Sequence, residues 1–387
     1  MPNFIGRKRK IGIGKETTAG TAVAATDWMP LTKPGFKPVS EKAVDSSAYG
    51  NIDEIYSKET TKNMTEVSVE GIVRDGWSGL LLLASLGSES LCVYGILSTV
   101  TGTFVVGETV TGGTSGATGT VKRLEGTTIM YITVLTSTFT SGETITGGTS
   151  SATATLTYDT TARAHIFERL NTNAHPTFTL VKSDDVDTQN SSYCMLDKID
   201  LETAVGDFSK FVAVFKGKQM TTTTATSSYV AANAFLAKYA KLYFADTVAL
   251  LSAASETPIS RAKVSIAKNL TDYQAWGDDD IASIHNQQFG VSGDLDALFS
   301  DVTLRDYMVN STKKAMRIKM VNTDITIGAA THPTLIIELS RVSFESWDDS
   351  AENNALVKQT IGFVGEFSTT DSNTILAILI NNRVTAY

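Results

Sequence analysis

Histidine and cysteine are where a search for chemistry starts, because they supply most general bases, metal ligands and thiolate nucleophiles. The 387-residue chain has only His165, His175, His285 and His332, with Cys92 and Cys194. None of the histidines is spaced as a metal-binding pair, and His175 and His332 simply precede a proline. No nucleophile, base and orienting group can be assembled from residues so few and so scattered, so an enzyme is not expected. Two cysteines are too few for a disulfide framework or a thiolate cage. With nothing basic beside either, both read as small hydrophobes.

Phosphate binding is the next candidate. Gly12–Thr21 (GIGKETTAGT) invites a phosphate-loop reading, but that loop needs Gly, four residues, then Gly-Lys-Ser/Thr. Arg9 stands where the first glycine belongs, and Glu16 follows Lys15. A dinucleotide fingerprint on Gly12 and Gly14 would need a third glycine where Thr17 stands. The acidic run Asp278, Asp279, Asp280 lacks the alternating ligands and distal glutamate of a calcium loop, and reads as a solvated loop. Glu345, Asp348 and Asp349 around Trp347 read as a polar turn between strands. No metal and no cofactor is expected.

Charge narrows the partners. Lys and Arg number 33 against 41 Asp and Glu, a formal net charge of −8, which argues against a protein that grips nucleic acid by its phosphates. The one concentrated positive patch is Arg7, Lys8, Arg9, Lys10. The stretch after it, to Trp28, is rich in Gly, Ala and Thr, so the patch reads as part of an adaptable N-terminal arm that docks on an acidic neighbouring subunit. No apolar core of the signal-peptide kind follows it. The greasiest stretch, Leu80–Leu86, is far short of the ~20 residues that cross a bilayer. Synthesis in the cytoplasm and no membrane partner are the expectation.

The elements that would position these residues are mostly strands. Period-two alternation or short β-branched runs mark Met64–Val73, Phe178–Val181, Lys210–Gly217, Ala315–Val321, Thr334–Phe344, Thr360–Phe367 and Thr374–Ile380. Helices are predicted over Gly76–Gly87, with Gly87 as C-cap, over Ser227–Phe244, and around Leu295–Val309. With 42% hydrophobic and 19% charged residues the chain is a folded, mainly β protein with a few covering helices. At roughly 100–200 residues per domain, its length allows two or three domains.

Two internal repeats organise the chain. GETVTGGTSGATGT at Gly107–Thr120 recurs as GETITGGTSSATAT at Gly142–Thr155, with Phe104 or Phe139 three residues before each copy. Each copy reads as strand, Gly-Gly turn and strand, which makes residues 97–158 a small inserted β-module rich in Thr and Gly. The second repeat is looser. Val67–Leu82 lies beside Phe289–Leu304, His175–Leu180 beside His332–Ile337, and Phe211–Lys218 beside Thr360–Phe367, in the same order in both halves. The expected organisation is a first β-domain in two parts, 1–96 and 159–222, interrupted by the module at 97–158. A linker helix and a second related domain follow over 223–387.

At this point the residues resemble a family. Ile11–Pro38 (IGIGKETTAGTAVAATDWMPLTKPGFKP), Ser47–Val73 with the apolar helix after it, and Val342–Trp347 with Gln359–Phe367 resemble the tail tube (major tail) proteins of long-tailed bacteriophages. The resemblance covers most of the chain outside the inserted module. It implies β-sandwich or β-barrel tube domains with flanking helices, whose subunits form rings that stack into a hollow tube for double-stranded DNA. With two tube domains in one chain, a trimer of pseudo-six-fold symmetry is favoured over a hexamer. The implied partners are further copies of the chain, the tape measure and other tail proteins, with DNA passing through without specific binding.

An acidic channel would repel DNA and let it slide. Asp53, Glu54, Glu59, Glu66, Glu70, Asp278, Asp279 and Asp280 are the expected lining, and Arg7, Lys8, Arg9 and Lys10 the inter-ring arm. The module is expected outside the tube, where a role in binding glycans or a host surface is an alternative to mere covering. Another ring-forming virion protein, a tail terminator or a decoration protein, is the alternative for the whole chain.

Overall fold

The computed structural model describes residues 5–328, 330–350 and 356–387. Strands dominate, as the alternation requires. The N-terminal part holds β1 (Lys10–Lys15), β2 (Asp27–Met29), β3 (Leu31–Asp45), β4 (Ser57–Ile72), helix α1 (Ser78–Leu86) and β5 (Gly87–Thr101). The module adds β6 (Thr109–Gly112), β7 (Thr118–Glu125), β8 (Ile129–Thr136), β9 (Glu143–Gly147) and β10 (Thr153–Tyr158). Then come β11 (Arg163–Arg169), β12 (Phe178–Ser183), β13 (Thr188–Ala204), β14 (Lys210–Gly217) and the short β15 (Thr221–Thr222). The remainder holds β16 (Ala240–Ala245), β17 (Glu256–Thr257), β18 (Arg261–Ala267), β19 (Thr271–Tyr273), β20 (Ser283–His285), β21 (Gly290–Leu298), α2 (Thr303–Val309), β22 (Lys314–Val321), β23 (Thr334–Ser350), β24 (Lys358–Gly365) and β25 (Ile375–Asn381). The seven strand segments read from the sequence fall in β4, β12, β14, β22, β23, β24 and β25.

One antiparallel pattern occurs twice. In the first half the order is β3–β4–β14–β13, and in the second β18–β21–β24–β23. The β13–β18 ladder, from Lys198 opposite Ala267 to Ala204 opposite Arg261, joins the two into eight consecutive strands. Each half breaks register at the same place. The β13–β14 ladder bulges between Leu196 and Lys198, and β23–β24 between Phe344 and Ser346, with Phe215 and Phe363 opposite the residue before each bulge. This matching sets Val67 against Gly293, four residues away from the correspondence the sequence suggested. Above their bulges, the N-terminal parts of β13 and β23 leave this sheet for an outer layer. There β13 pairs with β12, and β23 with β22 and β25.

Between the layers lies the core. Alternate residues of the eight-stranded sheet, among them Val67, Val69, Phe211, Phe215, Val264, Leu295, Ile361 and Phe363, are buried on one face. Helix α1 is buried at all nine positions and stops at Gly87, whose φ of 97° is reached at little cost only without a Cβ. The helix expected over Ser227–Phe244 is not there. Leu236–Phe244 instead forms one 3-10 turn (Ala237–Tyr239) and strand β16, whose Leu242 and Phe244 lie opposite Ile318 and Met316 of β22. Phe235 and Asn233 are held by backbone bonds to Val73, Ser209 and Asp75, so tertiary partners override a helical propensity that was never strong. Around Leu295–Val309 the helix is only Thr303–Val309. Leu295 and Ala297 alternate with Asp294 and Asp296 because β21 carries them.

The inserted module explains its own repeat. Strands β6 and β9 pair symmetrically, Val110 with Gly147 and Gly112 with Ile145. Each copy's glutamate caps the other copy's turn. Glu143 accepts from the amides of Thr114 and Ser115 (both 2.9 Å) and from the Ser115 hydroxyl (2.7 Å), and Glu108 accepts from Thr149, Ser150 and the Ser150 hydroxyl. A Cβ at Gly112 would lie 2.6 Å from Glu143 Oε1, and one at Gly147 2.6 Å from Glu108 Oε2, which is why this turn needs glycine. Although burial opposes ionisation, these donors hold both carboxyls below their ordinary range.

The module does not hang loose. Strand β5 runs unbroken through residues 96 and 97, pairing with β11 on the body side and with β8 and β10 on the module side. Module residues Arg123 and Glu125 join body residues Arg317, Lys319 and Glu338 in a largely buried charge cluster, with Arg123 to Glu338 at 2.7 Å and Arg317 to Glu125 at 2.9 Å.

Replacing Glu108 or Glu143 by Ala strands several turn donors, and each change is expected to cost about 1–3 kcal/mol of stability in chemical denaturation. Glu338→Ala leaves two buried guanidiniums without their shared carboxylate and should cost more, about 3–5 kcal/mol. Lys268, buried with its amine on the Ala84 carbonyl at 2.7 Å, has its pKa pushed down by burial to about 7. The unfolded chain keeps that proton up to about pH 10. It therefore binds more protons than the folded chain between about pH 7 and 10, and stability from this group rises with pH across that window. Thermal unfolding at pH 7 and pH 9 should show this increment in the native chain and not in Lys268→Met.

Candidate assembly surfaces

The second face of the eight-stranded sheet is open, and its side chains follow from the alternation that builds the core. Opposite Val67 and Val69 stand Glu66, Ser68 and Glu70, and the neighbouring strands continue the pattern. Charges sort by strand. Lys33 and Lys37 lie on β3, Glu66 and Glu70 on β4, Lys210 and Lys216 on β14, Asp200 and Glu202 on β13. Arg261 and Lys263 follow on β18, Asp294 and Asp296 on β21, Lys358 on β24 and Asp348 on β23. Over the length where all eight strands pair, basic and acidic strands alternate; Lys198 on β13 is the exception there, and it pairs with Asp200 at 3.1 Å, while Glu41 and Lys62 lie beyond it on the hairpin. Contacts cross the ladders accordingly: Lys33 to Glu70 at 2.8 Å, Lys216 to the bulge residue Asp197 at 3.2 Å, and Arg261 to Glu202 at 2.6 Å and also to Asp294. The hydrogen bond that Arg261 donates to Glu202 raises its pKa against burial, and the one it donates to Asp294 adds to this.

Two strands end this sheet. β3 pairs with β4 on one side, and β23 from Ser343 to Ser350 pairs with β24 on one side; among the described residues no strand ladder covers the other edge of either. Glu345, Asp348 and Asp349 therefore belong to strand β23 and not to a turn between strands. An edge exposed to solvent tolerates the three carboxylates that a turn would also have allowed.

A third surface is the β3–β4 hairpin. β14 covers β4 only from Thr65 to Ile72, Met64 is buried and Asn63 bridges Asp280, so the ladder that β4 makes with β3 alone is Ser57–Lys62, about 20 Å at ordinary strand rise, with Lys62 braced by Asp272 at 2.5 Å. The tip is apolar. Val44, Tyr49, Ile52, Ile55 and Tyr56 are exposed, and the Tyr49 and Tyr56 rings stack with centroids 4.0 Å apart. Nothing in the sequence reading anticipated this tip, although a run of apolar residues spaced through a polar turn was its visible signal.

The expected channel residues divide into three places. Glu66 and Glu70 are on the open sheet face. Glu59 is exposed on the projecting part of the hairpin, with Asp53 and Glu54 at its tip. Asp278, Asp279 and Asp280 lie on the loop between β19 and β20 and brace the hairpin base and the end of β14: the Asn63 amide donates to the Asp279 carbonyl at 2.6 Å, and the Gln219 amide to Asp280 at 3.0 Å. Trp276 on the same loop and Tyr273 at the end of β19 are exposed.

The basic cluster also resolves into parts. Lys8 pairs with Asp185 at 2.7 Å and Arg9 with Asp184 at 3.4 Å, on a turn of the same chain, while Arg7 is exposed. Although burial raises it, the Asp184 pKa is held low by the amides of Asp187 and Val186. Lys10 opens strand β1, whose Ile11 and Ile13 are in the core, so the stretch after the cluster is body and not an adaptable arm. Cys92 and Cys194 are buried, and burial pushes their thiols up to about 11 and about 12. Among the described residues no group of His, Cys, Asp and Glu is placed to hold a metal, and no helix is long and apolar enough to cross a membrane.

Among the described residues, the mainly β body presents long open strand edges and a protruding hairpin with exposed apolar side chains, the kind of surface through which β proteins assemble. The sequence profile of phage tail tube proteins matches residues 6–365, and the chain belongs to that family, a component of the virion tail. No curated protein gives a significant match.

Because Ile52 is fully exposed, Ile52→Ser should change unfolding stability by no more than about 0.5 kcal/mol. A larger loss in thermal melts would show that the tip packs within the monomer.

Proposed function

We infer that the chain closes into rings that stack as the phage tail tube and conduct double-stranded DNA, with three copies per ring giving pseudo-six-fold symmetry. The observation that carries the reading is the repeated four-strand pattern with its matching bulges. Six such units around a ring need three chains, and the β13–β18 join inside one chain has the same partners as a join between chains would have. Exposed edges of this length are ordinarily suppressed in proteins that stay monomeric. A contact repeated head to tail and then along an axis gives an open-ended assembly.

The open face of the sheet is assigned to the channel. Double-stranded DNA carries about one charge per 1.7 Å, so a row of unneutralised Lys and Arg would hold it. Here the basic strands lie between acidic ones, and the face is nearly balanced rather than uniformly acidic, which refines the expectation of an acidic lining. Asp53, Glu54 and Glu59 on the hairpin, with Asp278, Asp279 and Asp280 at its base, stay in the reading as carboxylates beside the channel. The hairpin tip is assigned to the ring-to-ring contact, and exposed Arg7, which lies by Leu31–Pro34 at the other end of β3, is kept as an inter-ring contact of the basic cluster. The module is assigned to the outside of the tube, and the tape measure and other tail proteins are the remaining partners.

Electron microscopy of the purified protein tests this. Stacked rings with a central hole, and a native mass for one ring of three chains, are expected. Unstacked rings would favour a terminator or decoration role, and a compact monomer at high concentration would overturn the reading. Ile52→Asp is expected to leave single rings and remove stacks. Stacks that persist in that variant would move the ring-to-ring contact elsewhere.

A further inference from the structure

We propose that the alternation of charge across the sheet is a code for joining subunits, in which Asp348 on the acidic edge strand β23 of one copy faces Lys37 on the basic edge strand β3 of the next. The inference rests on the ring reading above and names the residues that would set its polarity and register.

The register comes from the internal join. Counting from the matching bulges, Ser346 takes the place of Lys198 and Asp348 the place of Asp200. Through β4 and β21, Lys37 takes the place of Ser265, Val39 that of Ala267 and Gly35 that of Lys263. Asp200 lies opposite Ser265, whose hydroxyl donates to it at 2.7 Å, with Lys263 at 3.5 Å on the diagonal. Carried to the chain boundary, the same ladder puts Asp348 opposite Lys37, Ser346 opposite Val39 and Ser350 opposite Gly35. The internal join seats its acid against a hydroxyl and a diagonal lysine; the join between copies would seat it directly against an ammonium.

The signs select the partner. Eight strands alternating from basic β3 to acidic β23 continue without a break only when β23 meets β3 of another copy. Joining β3 to β3 would oppose Lys33 and Lys37 to themselves, and joining β23 to β23 would crowd Glu345, Asp348 and Asp349 together. Like charges directly opposite on a sheet are destabilising. Slipping the ladder by one residue would set Asp348 against the opposite face of β3, so the pair also fixes register. Lys37 and Asp348 are both exposed in the single chain, and no ion pair within the chain commits either of them among the described contacts.

The test is a charge-swap series with a cross-link. Lys37→Asp and Asp348→Lys should each raise the protein concentration needed for ring formation roughly tenfold or more, read by sedimentation, the size of one lost pairing of this order. The double variant should restore assembly. Lys37→Cys with Asp348→Cys should give an oxidised, reductant-sensitive ladder ending at a closed trimer, because opposite strand residues sit at separations a disulfide accepts. Cys92 and Cys194 are buried and do not compete. If the native chain forms rings and these variants neither impair assembly nor cross-link, the register proposed here is wrong while the ring reading stands. If the native chain forms no rings, the ring reading fails first. The charge-neutral Cys pair in its reduced form separates a folding defect from a lost contact, since a folded variant keeps the native thermal melt.

Discussion

The backbone ladder between β13 and β18 is the interaction on which the rest depends. It makes two four-strand units into one sheet with a single buried face, and so gives the chain one large core rather than two small ones. Its strands must keep polar residues on the open side, because a one-residue slip would exchange Val264 and Ile266 for Arg261, Lys263 and Ser265 in the core. The alternating charges of the open face are thus a by-product of the same periodicity that buries the apolar face. Their ordering by strand is an additional feature, since burial alone requires polarity and not sign.

The inserted module follows a different economy. It has a core of its own, with Val110, Ile132, Phe139, Ile145 and Leu156 buried, and carboxylates holding backbone donors add to it. A glutamate from each copy serves the turn of the other, which makes the halves interdependent. The buried cluster of Arg123, Glu125, Arg317 and Glu338 then fixes the module against β22 and β23. Burying charge is costly unless every partner is present, so this docking is specific to one orientation. The module is therefore tied to the body by side chains as well as by the neighbouring strands β5 and β11 through which the chain enters and leaves it.

Much of the fold was legible. Period-two alternation located the long strands, and Gly87 marked the end of α1 correctly because a left-handed C-cap has a local cause. Ser227–Phe244 was misread since its apolar spacing fits a helix about as well as a strand, and the partner that decided the matter, β22, lies about seventy residues away in sequence. Leu295–Leu298 failed for the same reason, being too short to separate one period from the other. Of the charged residues on the open sheet face, the sequence singles out Glu66 and Glu70 by their place in a long predicted hairpin, whereas Lys33, Lys37 and Asp348 stand out only once it is known which strands are neighbours.

By itself the sequence determined the mainly β class, the repeat within the module, the scarcity of catalytic groups and the family. These rest on local periodicity, on side-chain inventory and on motif order, all of which are properties of a linear chain. Only the tertiary structure decided that the two halves share one sheet, that β3 and β23 are its open edges, and that Asp184 and Asp185 meet the basic cluster within the chain. Those facts depend on strand pairing between segments far apart in sequence, where the backbone hydrogen bonds are the same for any residue and carry no trace in the order of side chains.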